Sequence, residues 1–572
     1  MKKLLCLLLA LTMVFTAVAV AAEGVSLSDK EGTTSAANAK EAEVAAYDPA
    51  TAAAEQEFVY TEASIPSLDP QQFDSAAEYP TDKGYMEGLV RTFNGAVNPG
   101  AADSWAFNED ASAITFHIRD GACWSDGTPL TANDFVYSFK RLVNPASNAP
   151  YGWAAEFIKN ASAIMYDQTK PVDELGVYAP DDQTFVIEFE GPSSYVLSFL
   201  DLPCFYPVKQ ELVEKWGDQY ALSAEAMLGN GPFVITEYAI DERIVMVPNE
   251  YYWNKDAVHL TKVTCLTMEG EPAFASLETG DIDLANIPTA IATAYLADPD
   301  MLPDCIVECY QSGAVDWFSV NIASETNPIL ANKDFRVALN LALDRDEYVA
   351  IASSGLYAPG YRYVLDMMTG YDGGKYCEQF PVNVYTSSAN VEAAKEHLAA
   401  AMAAVGISDP SQISIKLKIS EGSATNTLIV ENCQDQWQRT LGINVEIEYV
   451  TYKAMLADRR NGDFELVYAG WMPDYDDPYT YLSYFLSDSY ENGGKFASAK
   501  YDELVRGGCA TSDAQTRLAM YAEAETILLE EGGIVPLQIR QVPFAYDKNL
   551  KGLVRFYLGA DIDYTYAYFV AE

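Results

Sequence analysis

From Asn444 to Trp471 the chain spells one strand–helix–strand unit, and this stretch constrains the fold more than any other. Asn444 to Val450 alternates apolar and polar residues, with Val445, Ile447 and Tyr449 on one face. Tyr452 to Arg460 reads as a short helix and Asp463 to Trp471 as a buried strand. Two strands joined through a helix run parallel, with a right-handed crossover. In parallel α/β sheets ligands bind in the crevice beyond the carboxyl ends of the strands. The strand ending at Trp471 feeds Met-Pro-Asp-Tyr-Asp-Asp-Pro, a Pro-punctuated loop with aromatic flanks. Asp474 therefore stands at a strand end. A carboxylate on the wall of a desolvated cleft is a good receptor for an ammonium group.

At 572 residues the chain exceeds one core and predicts about three or four domain-sized units. Its formal charge of −47 argues against nucleic acids and anionic membranes as partners. Lys2 and Lys3, the apolar run from Leu4 to about Val20, and small residues at Ala19, Ala21 and Ala22 read as a secretory signal over 1–22. Residues 23–56 are rich in Ala, Glu, Ser and Thr without apolar periodicity, and read as a flexible tether. No later segment has the roughly 18 uninterrupted apolar residues of a membrane helix. The expectation is an exported, soluble protein. Eight of the nine cysteines lie beyond the signal. Cys305 and Cys309 are close enough in sequence to pair locally; the alternative is that they are small buried apolar residues.

The folded part begins near Phe58. Glu57–Thr61, Ile114–Ile118, Thr184–Phe189 and Phe233–Tyr238 read as strands. Asp126-Gly127 is a turn, and Thr131 with Asp134 forms a capping box before a helix through Phe135, Phe139 and Leu142. In the second half, Asp334–Ile351 reads as one helix with Phe335, Ala338, Leu339 and Ala342 on a stripe. Val391–Val405 is a helix closed by Gly406, Ile413–Ile419 a strand, and Thr427–Leu441 a helix closed by Gly442. Arg517–Leu529 is a late helix and Ile534–Ile539 a late strand. The pattern is mixed α/β, more regular in the second half.

Catalytic signatures are missing. The three histidines, His117, His259 and His397, form no H-E-x-x-H pair, and the mature chain has no C-x-x-C pair, so no metal centre is expected. There is no G-x-S-x-G elbow. Gly-Gly-Lys at 373–375 and 493–495 completes no phosphate-binding loop. No catalytic residues and no cofactor are expected.

Five segments stand in one order: SLDP (67–70), TFHIRDGACWSDGTPLTANDFVYSFKRLVNP (115–145), NGPF (230–233), RVALNLALDR (336–345) and GWMPDYDDP (470–478). Together they resemble the extracytoplasmic solute-binding proteins of oligopeptide and dipeptide ABC importers, from about residue 57 to the C-terminus. The resemblance implies an α/β, type II periplasmic-binding-protein-like fold, with two lobes, three domains and a ligand cleft between the lobes. Domain I would comprise 57–86, 212–311 and 541–572, domain II 87–211 and domain III 312–540, with hinge crossings near 311 and 541. It further implies a monomeric receptor, not an enzyme, that captures short peptides for membrane permease subunits and their ATPases. Asp474 would bind the peptide α-ammonium, Tyr151 would touch the ligand near its N-terminus, and Arg459 would help bind a carboxylate end. The chain departs from the family in lacking a lipobox cysteine. It also has Gln538-Ile539-Arg540 in place of an aromatic run, and Tyr468 in place of a basic residue.

Each assignment has a plainer alternative. Asp474 is either the ammonium receptor or a solvated loop acid. Trp471 is either cleft wall or core, and Tyr151 either a contact or a surface tyrosine. Arg459 is either a ligand contact or a solvated cation at a helix C-terminus. The WSDGTPLTANDF segment reads as structural. Rival functions are the same fold with a sugar or nickel chelate as ligand, or a secreted hydrolase.

Overall fold

The structure is a computed structural model. It describes residues 47–571 apart from 73–77, 94–95, 109–111, 192, 194, 354, 373, 512 and 556–561. The expected signal and most of the expected tether lie outside the described residues. The chain divides into two compact units, Met1–Pro288 with Asp298–Glu308 and Pro543–Glu572, and Thr289–Ala297 with Cys309–Val542.

The first unit supplies strands β1 (Glu57–Glu62), β2 (Ala102–Phe107) and β3 (Ala113–Ile118), helix α1 (Ala132–Val143), and strands β4 (Val177–Tyr178), β5 (Thr184–Glu188), β6 (Phe233–Ala239), β7 (Arg243–Pro248), β8 (Lys262–Thr267) and β9 (Leu284–Asn286). One sheet runs β9–β1–β8–β7–β6, with residues 544–546 beyond β9. β1 pairs with β8 in parallel from Glu57↔Lys262 to Glu62↔Thr267. A second, antiparallel sheet runs β2–β3–β5–β4. Helix α1 starts at the expected capping box, where the Thr131 N–H donates to the Asp134 carboxylate at 2.7 Å. Its Phe135 and Phe139 meet Phe185 of β5 at ring distances of 5.8 and 5.2 Å. Near the end of α1, Arg141 donates to both Asp69 oxygens at 2.6 and 3.1 Å, which ties SLDP to this helix.

The tether expectation fails for residues 47–56. Tyr47 stacks on His259 at 3.5 Å, Ala53 N–H donates to Phe569 at 2.8 Å, and Gln56 donates to the same carbonyl. Low apolar content hides this order, because backbone pairing and one aromatic stack supply it rather than an apolar stripe.

Strand β10 (Cys305–Val320) runs on into the second unit. There follow α2 (Lys333–Leu341), α3 (Arg345–Ser353), α4 (Val391–Val405), β11 (Ser414–Ser420), α5 (Ala424–Leu441), β12 (Asn444–Val450), α6 (Tyr452–Asn461), β13 (Leu466–Trp471), α7 (Tyr479–Leu482), α8 (Ala514–Glu530) and β14 (Ile534–Asp547). The sheet order is β12–β11–β13–β10–β14. β12 and β13 both run parallel to β11, so the two strands of the opening motif are parallel to each other, with β11 between them. β13 lies antiparallel to β10, from Val315↔Trp471 to Val320↔Leu466. Phe318, Phe335, Leu339, Leu417, Ile429, Trp437 and Leu466 pack in one buried cluster. Burying each such side chain stabilises by about 1.5–3 kcal/mol.

One sequence reading is corrected here, and one open alternative is decided. The helix expected over 334–351 is two helices. Asp344 caps the second by accepting from Glu347 N–H at 3.0 Å, and buried Arg345 donates to the carbonyls of Pro536, Asn340 and Leu343. Cys305 and Cys309 lie on one strand four residues apart, which an extended rise of about 3.3 Å per residue places roughly 13 Å from each other. A disulfide needs Cα atoms within about 7 Å, and all eight described cysteines are thiols.

Candidate functional site

β13 is buried from Leu466 to Ala469 and ends in the half-buried Gly470 and Trp471. Beyond it the chain turns through 472–478 into α7. The three aspartates of this turn have different surroundings. Asp476 accepts from Thr369 N–H at 3.0 Å. Asp477 is buried, pairs with Arg517 at 2.8 Å and accepts from Tyr479 N–H. No cation among the described residues pairs with Asp474. Part of its surface stays accessible, yet the protein packed around it desolvates the carboxyl and pushes its pKa up to about 7. Hydrogen bonding from Thr480 and from backbone opposes that shift without cancelling it.

Thr480 organises this corner. Its hydroxyl oxygen accepts from Trp471 Nε1 at 3.3 Å and from Asp474 N–H at 3.2 Å. Its own hydrogen is thereby left for the Asp474 carboxyl. Sequence reasoning missed Thr480, which lies two residues beyond the Pro478 that closes the motif. The available signal was a hydroxyl in the first turn of a helix that follows a strand-end acid.

Trp471 and Arg459 belong to one stack. The Trp471 ring meets Tyr484 edge-on at 5.6 Å, and the Arg459 guanidinium lies 5.7 Å from the same Tyr484 ring. Arg459 is buried and paired with Glu491 at 3.0 Å. It is not a solvated helix-end cation. Trp471 is half-buried, neither fully core nor free of packing. Tyr151 sits in the first unit, before the short turn Gly152–Ala155, with its ring 5.4 Å from the exposed Trp153. The structure thus brings Asp474, Trp471 and Arg459 together through Thr480 and Tyr484, and places Tyr151 in the other unit.

The other motif segments are structural. Asp126 accepts from Thr128 N–H, Asn230 exchanges hydrogen bonds with the Glu87 backbone, and Arg336 and Asn340 donate to carbonyls of Glu531 and Ile534. Among the described residues no group of three or more His, Cys, Asp or Glu is placed to hold a metal ion.

The model of the bacterial extracellular solute-binding proteins, family 5, matches residues 96–493. The chain belongs to this family. The periplasmic oligopeptide-binding protein OppA of Salmonella typhimurium is 31% identical over 479 residues, covering 83% of this chain and 85% of that protein. Among solved structures, the unliganded open form of the periplasmic murein tripeptide-binding protein MppA matches with a TM-score of 0.78 and 27% identity, over 91% of this chain and 99% of that one. Haemophilus influenzae OppA in complex with the peptide RPPGFSPFR matches with a TM-score of 0.70 and 28% identity, over 91% and 100% of the two chains. The family 5 solute-binding fold is therefore this chain's fold, as the resemblance of its motifs implied.

Proposed function

We propose that this protein is an exported receptor that captures short peptides and delivers them to the permease and ATPase subunits of an ABC importer. One observation carries the reading: Asp474 is a desolvated strand-end carboxyl that no cation among the described residues pairs with. A peptide α-ammonium supplies that cation, and a charge-assisted hydrogen bond in such surroundings is strong. Trp471 forms part of the wall and Tyr151 a second contact. Arg459, already held by Glu491, acts by bracing Tyr484 and, through it, Trp471. Main-chain pairing with an extended ligand, as in strand addition, leaves recognition tolerant of sequence. The named relatives that bind oligopeptides or a murein tripeptide support this choice of ligand class.

In this reading domain I is 57–86, 212–311 and 541–572, domain II 87–211 and domain III 312–540. The unit boundaries after Glu308 and Val542 support crossings near 311 and 541. The receptor acts as a monomer, performs no catalysis and reaches its location through the signal at 1–22. Cell fractionation with N-terminal sequencing checks the last point; a membrane-retained chain with intact Met1 refutes it.

The deciding experiment compares short peptides with their N-acetylated forms. Ligand binding to the native state raises the melting temperature by mass action. Free peptides should raise it clearly and acetylated ones far less. Equal shifts would remove the ammonium role from Asp474. Mass spectrometry of the recovered peptide should show it uncut.

A further inference from the structure

A second polar cluster occupies the same sheet end in the second unit. In the β10–β13 register Asp316 faces Gly470 and Phe318 faces Tyr468. Asp316 is fully buried and grips Arg540 of β14. Arg540 Nε lies 2.9 and 3.1 Å from its two oxygens and Nη2 lies 2.6 Å from one of them. Gln538 Nε2 donates to Asp316 at 2.8 Å and to the Tyr468 hydroxyl at 3.2 Å, and that hydroxyl donates to Asn426 at 3.2 Å. Gly470 makes the cluster possible. A Cβ there would sit 2.4 Å from an Asp316 oxygen and 2.9 Å from Arg540 Nη2.

Stability is a poor reason for this arrangement. Apolar residues of similar volume often replace a buried ion pair at no cost. Its geometric result is more telling. One edge of the guanidinium is locked against a carboxylate that is 0% exposed, while 39% of the Arg540 side chain remains accessible. An arginine so fixed has lost its rotamer freedom before any ligand arrives, and its planar fork matches a carboxylate. A free peptide carries both charges. Asp474, four residues beyond Gly470, suits its ammonium; a carboxylate needs a cation.

We propose that Arg540, oriented by Asp316, is a specificity determinant that receives a carboxylate of the bound ligand, from its C-terminus or from an acidic side chain. This rests on the peptide reading above.

Calorimetric titration tests it with alanine peptides of three to five residues, each as free acid and C-terminal amide. A second amidated series carries Glu or Gln at successive positions. Wild type should prefer the carboxylate form of at least one pair by about tenfold or more. The first series reports the C-terminus and the second a side chain. Arg540→Gln should abolish the preference, Arg540→Lys should reduce it, and Arg506→Gln, at an exposed pair with Asp488, should leave it intact. If wild type binds acids and amides alike while still requiring a free N-terminus, the role of Arg540 is overturned and the peptide reading stands. Full preference in Arg540→Gln also overturns it. Binding by no member of either series removes the peptide reading and this inference with it. Should Arg540→Gln fail to fold, the wild-type comparison and Arg540→Lys still decide.

Discussion

Asp474 holds two opposing demands. Burial keeps its carboxyl neutral up to a pKa of about 7, whereas pairing with an ammonium needs it ionised. Binding should therefore release a proton from Asp474 below neutrality. Affinity for a free peptide should fall by about tenfold per pH unit below 7. It should fall again as the peptide α-amine, with a pKa of about 8, loses its charge. Calorimetry from pH 5 to 9 should give a bell peaking between these limits. Asp474→Ala leaves the ammonium unpaired, costs about 3–5 kcal/mol, and should weaken binding by about 10²-fold or more. The stability effect of Asp474→Asn has the opposite sign. A carboxyl whose folded pKa is raised contributes fully below its unfolded value of about 3.9 and loses that contribution as pH rises towards 7. The ligand-free Asn variant should thus melt higher than wild type at pH 8 and near it at pH 4. A wild-type affinity that stays flat from pH 5 to 7 would assign the ammonium to another group.

Asp474 and Trp471 are legible in the sequence because local periodicity marks the strand and Pro473 marks its end. The fate of Arg459 is not. Helix-end arginines are ordinarily solvated, and this one is buried because a distant chain segment closes over it. A Cβ on Gly493 would lie 1.6 Å from the Arg459 carbonyl oxygen, so only glycine lets residues 491–493 pack there and bring Glu491 to the guanidinium. Long-range closure of this kind leaves no local pattern to read.

At the scale of elements, helices α4 and α5 follow their periodicity, each stopped by a glycine in the left-handed region, and strand β12 forms where its alternation places it. Two elements break the pattern. The apolar stripe continues through Ala342 and Leu343, yet the helix stops, because Asp344 is a better cap than interior residue and Arg345 takes carbonyls that a continuing helix would use. The last strand runs past Arg540 to Asp547 although Pro543 argues against a strand interior. The Pro543 carbonyl still accepts from Ile287 N–H at 3.0 Å. The break between α2 and α3 has a measurable cost. Arg345→Ala leaves several buried carbonyls without donors and should destabilise by about 3 kcal/mol or more. Asp344→Ala loses one cap and should cost about 1 kcal/mol. Urea unfolding checks the order: an Arg345→Ala variant no less stable than Asp344→Ala would mean that the guanidinium does not hold the break.

At the scale of the molecule, the chain passes between its two units within β10 and within β14, and also on either side of Thr289–Ala297. Motion about a few element residues that absorb φ/ψ change is how domains close around ligands. We propose that the crossings in β10 and β14 act as the hinge and that the two units close on peptide. The energy for closure comes only from the ligand's tighter binding to the closed state. A peptide held by Asp474 alone should therefore shift the equilibrium less than one that also engages the opposite unit, where Tyr151 is the proposed contact. Small-angle scattering should show a smaller radius of gyration with saturating free peptide. Asp474→Ala should shrink only at peptide concentrations about 10²-fold higher. If Tyr151 is the contact proposed, Tyr151→Ala should bind more weakly and close less fully at saturation. If saturating peptide leaves the scattering curve unchanged while calorimetry shows full occupancy, the crossings in β10 and β14 are not a ligand-driven hinge.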